Sequence, residues 1–416
     1  MLETIADVRF PVYQTYRYRL YPFRDQEREL MRQLDELKFL WNYALEQRQC
    51  LWKAKGVSAT YADQASSLVA WKANDSNGIA RVFSQTSQEC LQRLNGAFRA
   101  FFRHHAGYPR FKRQCASMTY PQPGNGSAAV TAGRNGTKRL HLSKIGELPI
   151  EMHRPLPGGS IRTCTVKREG DRWYTVLTVE VQDVPAPAIT EAHNPVGIDL
   201  GLNSIAALST GVTVEAPKLF RRSERSLRRA QRKLSRKVKG SNNWHKQKIV
   251  VQRCHAKVSD QRRDFAHKLT TGWAQQYDLI AFEDMDVRTM IHGNLAKSIH
   301  DAGWGMLRHM CAYKQSNRSH RYVEVETDNT TQECSVCGRL ADPPLTLRDR
   351  VYRCSCGNTE DRDVNASRNI LDRALNAVGQ GMPELTRVER VANTFRKGRR
   401  AVSLNREPPA AKEVAF

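Results

Sequence analysis

At 416 residues the chain is long enough for two to four domains, and 40% hydrophobic with 26% charged residues is the balance of a globular protein. Sixty-six Lys and Arg against 42 Asp and Glu leave a formal charge of +24. That points to a polyanion, nucleic acid ahead of an anionic membrane surface, because neutralising phosphates releases counterions. No apolar run reaches the roughly 18 residues a membrane span needs, and the first residues, with Glu3, Asp7 and Arg9, hold no apolar signal core. The expectation is a cytoplasmic protein working on nucleic acid.

Residues 1–14 carry no clear signal. From Thr15, the alternation of Tyr16, Tyr18 and Leu20 with Arg17 and Arg19 predicts a half-buried strand stopped by Pro22. Asp25 can cap a following helix whose apolar positions Leu30, Leu34, Leu37, Trp41 and Leu45 recur at helical spacing. A shorter helix is expected over Tyr61 to Trp71, and a third from about Ile79 to His105, with Leu91, Leu94, Phe98, Phe101 and Phe102 as a packing stripe. The loop Gly107-Tyr108-Pro109-Arg110-Phe111-Lys112-Arg113 interleaves rings and cations that can stack on bases and hold phosphates, with Tyr108, Arg110 and Lys112 the candidate contacts. Its bland reading is a surface connector. Residues 120–137, rich in Gly, Ser, Asn and Pro, read as a loop.

From Arg139 to Val181 the pattern turns to strands: Leu140 and Leu142, then Ile161, Cys164 and Val166, then Trp173, Thr175, Leu177 and Val179 after a Gly170-Asp171 turn. These strands and the N-terminal one predict a small β-barrel with the helices of 25–105 inserted, and 184–188 reads as a linker. Residues 217–270 hold 18 Lys or Arg against three acids. Phe220, Leu227 and Leu234, then Trp244, Val251, Val258 and Phe265, repeat at intervals of seven around a Gly240-Ser241-Asn242-Asn243 break. This is a helical hairpin with one apolar seam and basic flanks. A solvated coiled coil is the alternative, but unrelieved positive charge repels itself and favours a phosphate backbone lying across it.

Three acids stand out. Asp199 sits in Pro195-Val196-Gly197-Ile198-Asp199-Leu200-Gly201, a buried-strand pattern where a carboxylate needs a cation. Glu283 ends the apolar run from Tyr277 to Phe282, with Asp284 and Asp286 as solvent-facing neighbours or competitors. Asp363 lies in the helix start Thr359-Glu360-Asp361-Arg362-Asp363. A strand Asp, a strand-end Glu and a helix Asp, in that order, are the arrangement of an RNase H-like nuclease core holding two divalent ions roughly 3.5–4 Å apart. Hard oxygen ligands select Mg²⁺ or Mn²⁺. Of the ten cysteines, too few for a disulfide scaffold, Cys50, Cys90, Cys115, Cys164, Cys254 and Cys311 are scattered and read as core. Cys334, Cys337, Cys354 and Cys356 form two close pairs, the signature of a structural Zn²⁺ site, although the second pair is CxC where a zinc ribbon has CxxC.

These motifs together (GIDLG at 197–201, Glu283 after its strand, DAGWG at 301–305, CSVCG at 334–338 and DRDVNASRNI at 361–370) resemble the TnpB family of transposon-encoded RNA-guided nucleases, relatives of the compact type V CRISPR effectors. The resemblance implies an α+β multidomain fold. Its parts would be a wedge β-barrel (1–24 and 114–186), a helical recognition domain (25–113), a RuvC-like RNase H core (194–330 and 359–374), a zinc-ribbon insertion (331–358) and a basic, disordered tail (375–416). It implies Asp199, Glu283 and Asp363 as catalytic acids binding two Mg²⁺ or Mn²⁺, with Asp361 as a helix cap. It also implies a guide RNA made from the transposon end and a double-stranded DNA target beside a short flanking motif. On the hairpin, Arg221, Arg222, Arg225, Arg228, Arg229, Arg232 and Lys233 are the expected nucleic-acid contacts. The expected activity is RNA-guided DNA cleavage; the alternative is a guided DNA-binding regulator that does not cut. Whether the protein acts as monomer or dimer is left open by the sequence.

Overall fold

The computed structural model describes residues 12–74, 78–124, 126–133, 136–181, 192–286, 290, 296–346 and 348–379. The expected linker at 184–188 and the tail beyond 379 lie outside the described residues. The chain forms two compact units, Met1–Asp183 and Val184–Phe416.

The first unit opens with β1 (Val12–Leu20), whose alternation turns Tyr18 and Leu20 inward and leaves Arg17 and Arg19 half-buried on the other face. Helix α1 (Arg24–Lys55) starts earlier than the sequence suggested. Phe23 occupies the cap position and its N–H donates to Gln26 Oε1 (3.1 Å), so Asp25 lies inside the first turn, where its charge still suits the positive helix end. Gly56, at φ 63°, closes the helix. Helix α2 (Tyr61–Ala73) begins on a reciprocal Thr60–Asp63 cap. The single helix expected over 79–105 is broken. A 3-10 turn at Ile79–Arg81 and an extended Val82 come before α3 (Ser84–Phe102). Its stripe divides accordingly: Leu91, Leu94 and Phe98 are buried, whereas Phe102 is 66% exposed.

Strands β2 (Ser117–Pro121), β3 (Ala128–Ala132), β4 (Lys138–Leu142), β5 (Gly146–Glu151), β6 (Ser160–Glu169) and β7 (Arg172–Val181) join β1 in an antiparallel sheet of order β2-β6-β7-β1-β5-β4-β3. The stretch 120–137 is therefore not all loop. It holds the end of β2 and the whole of β3, whose alanines are held by pairing with β4 and not by their own strand preference. The odd spacing of Ile161 and Cys164 is a register shift between Ile161 and Thr163 that returns Cys164 to the inner face. Leucines of α1 and α3 share one core with Tyr18, Tyr120, Leu140 and Trp173 of the sheet. Each such side chain contributes about 1.5–3 kcal/mol by leaving water.

The second unit is built on β8 (Pro195–Asp199), β9 (Ser204–Leu208), β10 (Thr213–Glu215), β11 (Leu279–Glu283) and β12 (Arg321–Val325), in the order β10-β9-β8-β11-β12. Strands β8, β11 and β12 are mutually parallel. Both faces of β8 and β11 are covered, which is why they read as nearly continuous apolar runs, whereas the edge strand β12 carries Arg321 and Glu324. On one face pack α5 (Asn242–Gln276) and α7 (Trp304–Ser316), with α4 (Leu219–Ser235) and α6 (Ala296–Ala302) completing the helices before the last strand. On the other face lies α8 (Arg362–Ala377). The short strands β13 (Val351–Arg353) and β14 (Thr359–Asp361) form a separate ribbon. Helices α4 and α5 are the expected basic hairpin, with Leu227 and Val258 buried in its seam.

Helix α8 crosses β8 so closely that only glycine fits beneath it. A Cβ at Gly197 would stand 2.1 Å from the Ser367 carbonyl oxygen and 2.7 Å from the Leu371 nitrogen, both backbone atoms that cannot swing aside. Gly197→Ala is expected to destabilise the second unit by about 1–3 kcal/mol, read as a lowered urea midpoint. A midpoint unchanged from the parent would show that the helix does not sit against this strand.

Candidate active site

Strand parity decides where the acids point. Val196, Ile198, Ile280 and Phe282 join the core under α5 and α7, whereas Leu279 and Ala281 join the core under α8, the face Gly197 also meets. Asp199 and Glu283 continue that second series, two residues on in each strand, and so share the α8 face. The parallel register ends on the Phe282–Ile198 pair, and Glu283 and Asp199 are the next residue of each strand. Above them α8 begins. Asp361 caps it, accepting the Asp363 N–H (2.9 Å) and the Val364 N–H (3.3 Å), and this puts Asp363 in the first helical turn.

Asp199 feels the other two carboxylates. Burial first, then the negative charges of Glu283 and Asp363, push the Asp199 carboxyl up to about 8, against a partial pull from Arg362. Burial also raises Glu283, opposed by a hydrogen bond from the Thr330 hydroxyl and by the charge of Arg373. Asp363 is paired with Arg362 (3.2 Å) and lies 3.9 Å from Arg350. Among the described residues, the three acids do not close to ligand atoms all within 4.8 Å of one another, a spacing that only the cysteine cluster reaches. An oxygen-only set of carboxylates, Glu283 buried and Asp199 and Asp363 half-buried, fits a hard divalent cation, which would offset the burial and the repulsion that now hold a proton on Asp199.

Other motif residues brace this pole of the sheet. Asp301, in DAGWG, accepts the Phe220 N–H at the start of α4 (2.9 Å) and pairs with Arg262 (3.1 Å), fastening the basic hairpin to α6. Trp304 Nε1 donates to the Gly201 carbonyl (3.2 Å), holding the turn just after Asp199. Arg308 pairs with Asp284 (3.1 Å) and Glu324 (2.5 Å), so Asp284 is engaged on the far side of the strand end.

Cys334, Cys337, Cys354 and Cys356 bring their sulfurs within 4.8 Å of one another, a set that could hold a structural zinc. The CxC spacing is accommodated by a shorter turn. Gly338 N–H closes on the carbonyl four residues back at Cys334, whereas Gly357 N–H closes on the carbonyl three back at Cys354, each glycine at positive φ (72° and 91°). Tyr352 fills the ribbon's small core, its hydroxyl donating to the carbonyls of Gln332 (3.1 Å) and Arg339 (3.2 Å).

The expected contact residues are presented unevenly. In the first unit the loop 107–113 is stapled to α1, because Asn42 exchanges two hydrogen bonds with the Lys112 backbone (2.8 and 3.0 Å). Tyr108 and Arg110 are exposed, but the Lys112 ammonium sits 3.4 Å from the centre of the Trp41 ring, which engages its charge. In the second unit Arg221, Arg222, Arg225, Arg228, Arg229, Arg232 and Lys233 are all exposed along α4, and Arg228 pairs with Glu224 (3.1 Å). The sequence had not singled out Arg362, Thr330 or the capping role of Asp301. Arg362 could have been noticed as the cation between two acids, whereas nothing in the spacing marks Thr330.

The α+β fold is similar to that of the Cas12 effectors. A solved Cas12f1–guide RNA–target DNA complex superposes with a TM-score of 0.57 over 86% of this chain and 98% of that one, at 12% identity. Three family models match in turn: a helix-turn-helix domain of the IS605 OrfB type at 12–56, a probable transposase (IS605 OrfB) at 176–293, and a Cas12f1-like TNB domain at 304–370. A candidate RNA-guided DNA endonuclease of Streptomyces pristinaespiralis is 37% identical over 382 residues, 89% of this chain and 92% of its own. The candidate RNA-guided DNA endonuclease InsQ of Escherichia coli K12 is 34% identical over 86% of this chain and 91% of its own. The chain belongs to the TnpB family of IS605-type proteins. Among the described residues, no helix is long and apolar enough to cross a membrane.

The Asp199 shift fixes a pH dependence. The carboxyl releases its proton near 3.8 when unfolded but near 8 when folded, so between those values the folded state holds the extra proton. The contribution of Asp199 to stability in magnesium-free buffer should be fully present at or below about pH 4 and be lost as pH rises through 8. Asp199→Asn should flatten that slope in urea titrations at several pH values. An identical slope in both proteins would contradict the buried cluster.

Proposed function

We propose that the chain is an RNA-guided DNA endonuclease encoded by a transposon, cutting target DNA beside a short flanking motif. The observation that carries this reading is the meeting of Asp199, Glu283 and Asp363 at one pole of the β8–β11 sheet, in a family whose named relatives are candidate endonucleases of this type. The five-stranded sheet with a crossing terminal helix supports an RNase H-like, RuvC-type core. The first unit would be the wedge barrel and recognition lobe, and 331–358 the zinc ribbon.

In this reading Asp199, Glu283 and Asp363 hold two Mg²⁺ or Mn²⁺ ions. When bound, such a pair supplies Lewis acidity toward a phosphodiester and lowers the pKa of water. The chain's own contribution is positional. Asp199, central in the sheet, is shared by the other two acids; Glu283 is anchored by Thr330; Asp363 is oriented by the helix cap at Asp361. Arg362 now neutralises Asp363 and would be free to meet a phosphate once cations occupy the acids. The exposed cations of α4 would lie along a nucleic-acid backbone, and the guide's pairing would select the target, with the protein reading the duplex by shape. Tyr108 and Arg110 would add stacking and phosphate contact.

Asp199→Ala should lower cleavage of a guide-matched duplex by at least about 1,000-fold, with guide-RNA affinity unchanged, in an assay with purified protein, guide, target and Mg²⁺. Cleavage equal to the parent's would remove Asp199 from the site. A parent that binds guide and target but never cuts would favour a binding-only regulator.

A further inference from the structure

The segment leading into the zinc ribbon is tied to one face of α8 at spacings of four. Arg373 Nη1 donates to the Glu326 carbonyl (3.0 Å) and its Nη2 pairs with the Glu333 carboxylate (2.8 Å). Asn369 Nδ2 donates to the carbonyls of Thr330 (2.8 Å) and Glu333 (2.7 Å). Asn365 Nδ2 donates to the Glu333 carbonyl (2.6 Å), and its Oδ1 accepts the Ser335 N–H (2.9 Å). Residues 365, 369 and 373 lie one helical turn apart, so a single stripe of α8 holds the segment from 326 to 335 along its length. Thr330, 2% exposed, stands in the middle of that segment, and its hydroxyl donates to Glu283 Oε1. Cys334 follows four residues later, in the first knuckle.

We propose that Thr330 is a positioning residue for Glu283, held in place by Asn369 and by the cysteine knuckle that ends its segment. This rests on the carboxylate site proposed above. Glu283 has two oxygens; with one tied by the Thr330 hydroxyl, the carboxylate cannot rotate freely and leaves the other as the one to meet a cation. A ligand so fixed loses little freedom when a cation binds, and such supporting partners commonly account for about 10- to 100-fold in metal affinity. The zinc ribbon then has a second role besides local folding: it anchors the far end of the strap that aims a carboxylate in the sheet. The same helix that brings Asp363 therefore also fixes Glu283, through a segment more than thirty positions away in the chain.

Mn²⁺ binding to the full-length protein, followed by electron paramagnetic resonance, tests this without relying on cleavage. Thr330→Val, similar in size, should weaken Mn²⁺ binding about 10- to 100-fold with zinc content and melting temperature in metal-free buffer unchanged. Thr330→Ser, which keeps the hydroxyl, should stay close to the parent. Asn369→Leu should shift binding in the same direction as Thr330→Val and serves if the valine variant folds poorly. Glu283→Gln is the control. If it weakens Mn²⁺ binding while Thr330→Val does not, or if Thr330→Ser behaves as Thr330→Val does, the positioning role is overturned. If Glu283→Gln itself binds as the parent does, the carboxylate site fails, a result distinct from failure of the strap.

Discussion

The second unit depends on one close crossing, where the backbone of α8 rests on Gly197 of β8 with no room for a side chain between them. A helix packed at ordinary separation would leave its first turn too far above the sheet for Asp363 to sense Asp199. With the glycine there, the helix start hangs over the strand end, and a residue some 160 positions away acts on a carboxylate at the end of β8, next to the strand that ends in Glu283. Close packing here is the means by which the charge is assembled.

Assembling that charge works against the fold. Three acids at one pole repel, and burial removes the water that would screen them. The chain answers in parts: Arg362 and Arg350 face Asp363, a threonine hydroxyl and the charge of Arg373 act on Glu283, and Asp199 keeps a proton into the neutral range. Asp363 and Glu283 thus have cations facing them, whereas Asp199 is left to hold a proton, and the strongly basic α4 hairpin is tied to the same unit through Asp301.

Much of this was legible in the residues. The three acids, the four cysteines and the basic hairpin could be read because each rests on a local rule: a carboxylate in an apolar strand, thiols at ligand spacing, a seven-residue apolar repeat among cations. The misreadings came where tertiary contacts override local preference. Composition called 120–137 a loop, yet β3 exists because β4 and the sheet pair with it. Helical periodicity ran straight through Val82 and Phe83, although the chain there leaves the helix to reach the core. Asp25 looked like a cap, but the backbone at Phe23 already starts the helix. Thr330 left no trace in the sequence pattern because its importance lies in a single long-range hydrogen bond.

The central claim is that Asp199, Glu283 and Asp363 together bind divalent cations. Anomalous diffraction from crystals of the protein grown or soaked with Mn²⁺ tests it most directly. The account predicts two manganese peaks roughly 3.5–4 Å apart, at the pole where Asp199, Glu283 and Asp363 lie. Full manganese occupancy elsewhere, with the three carboxylates bare, would contradict it.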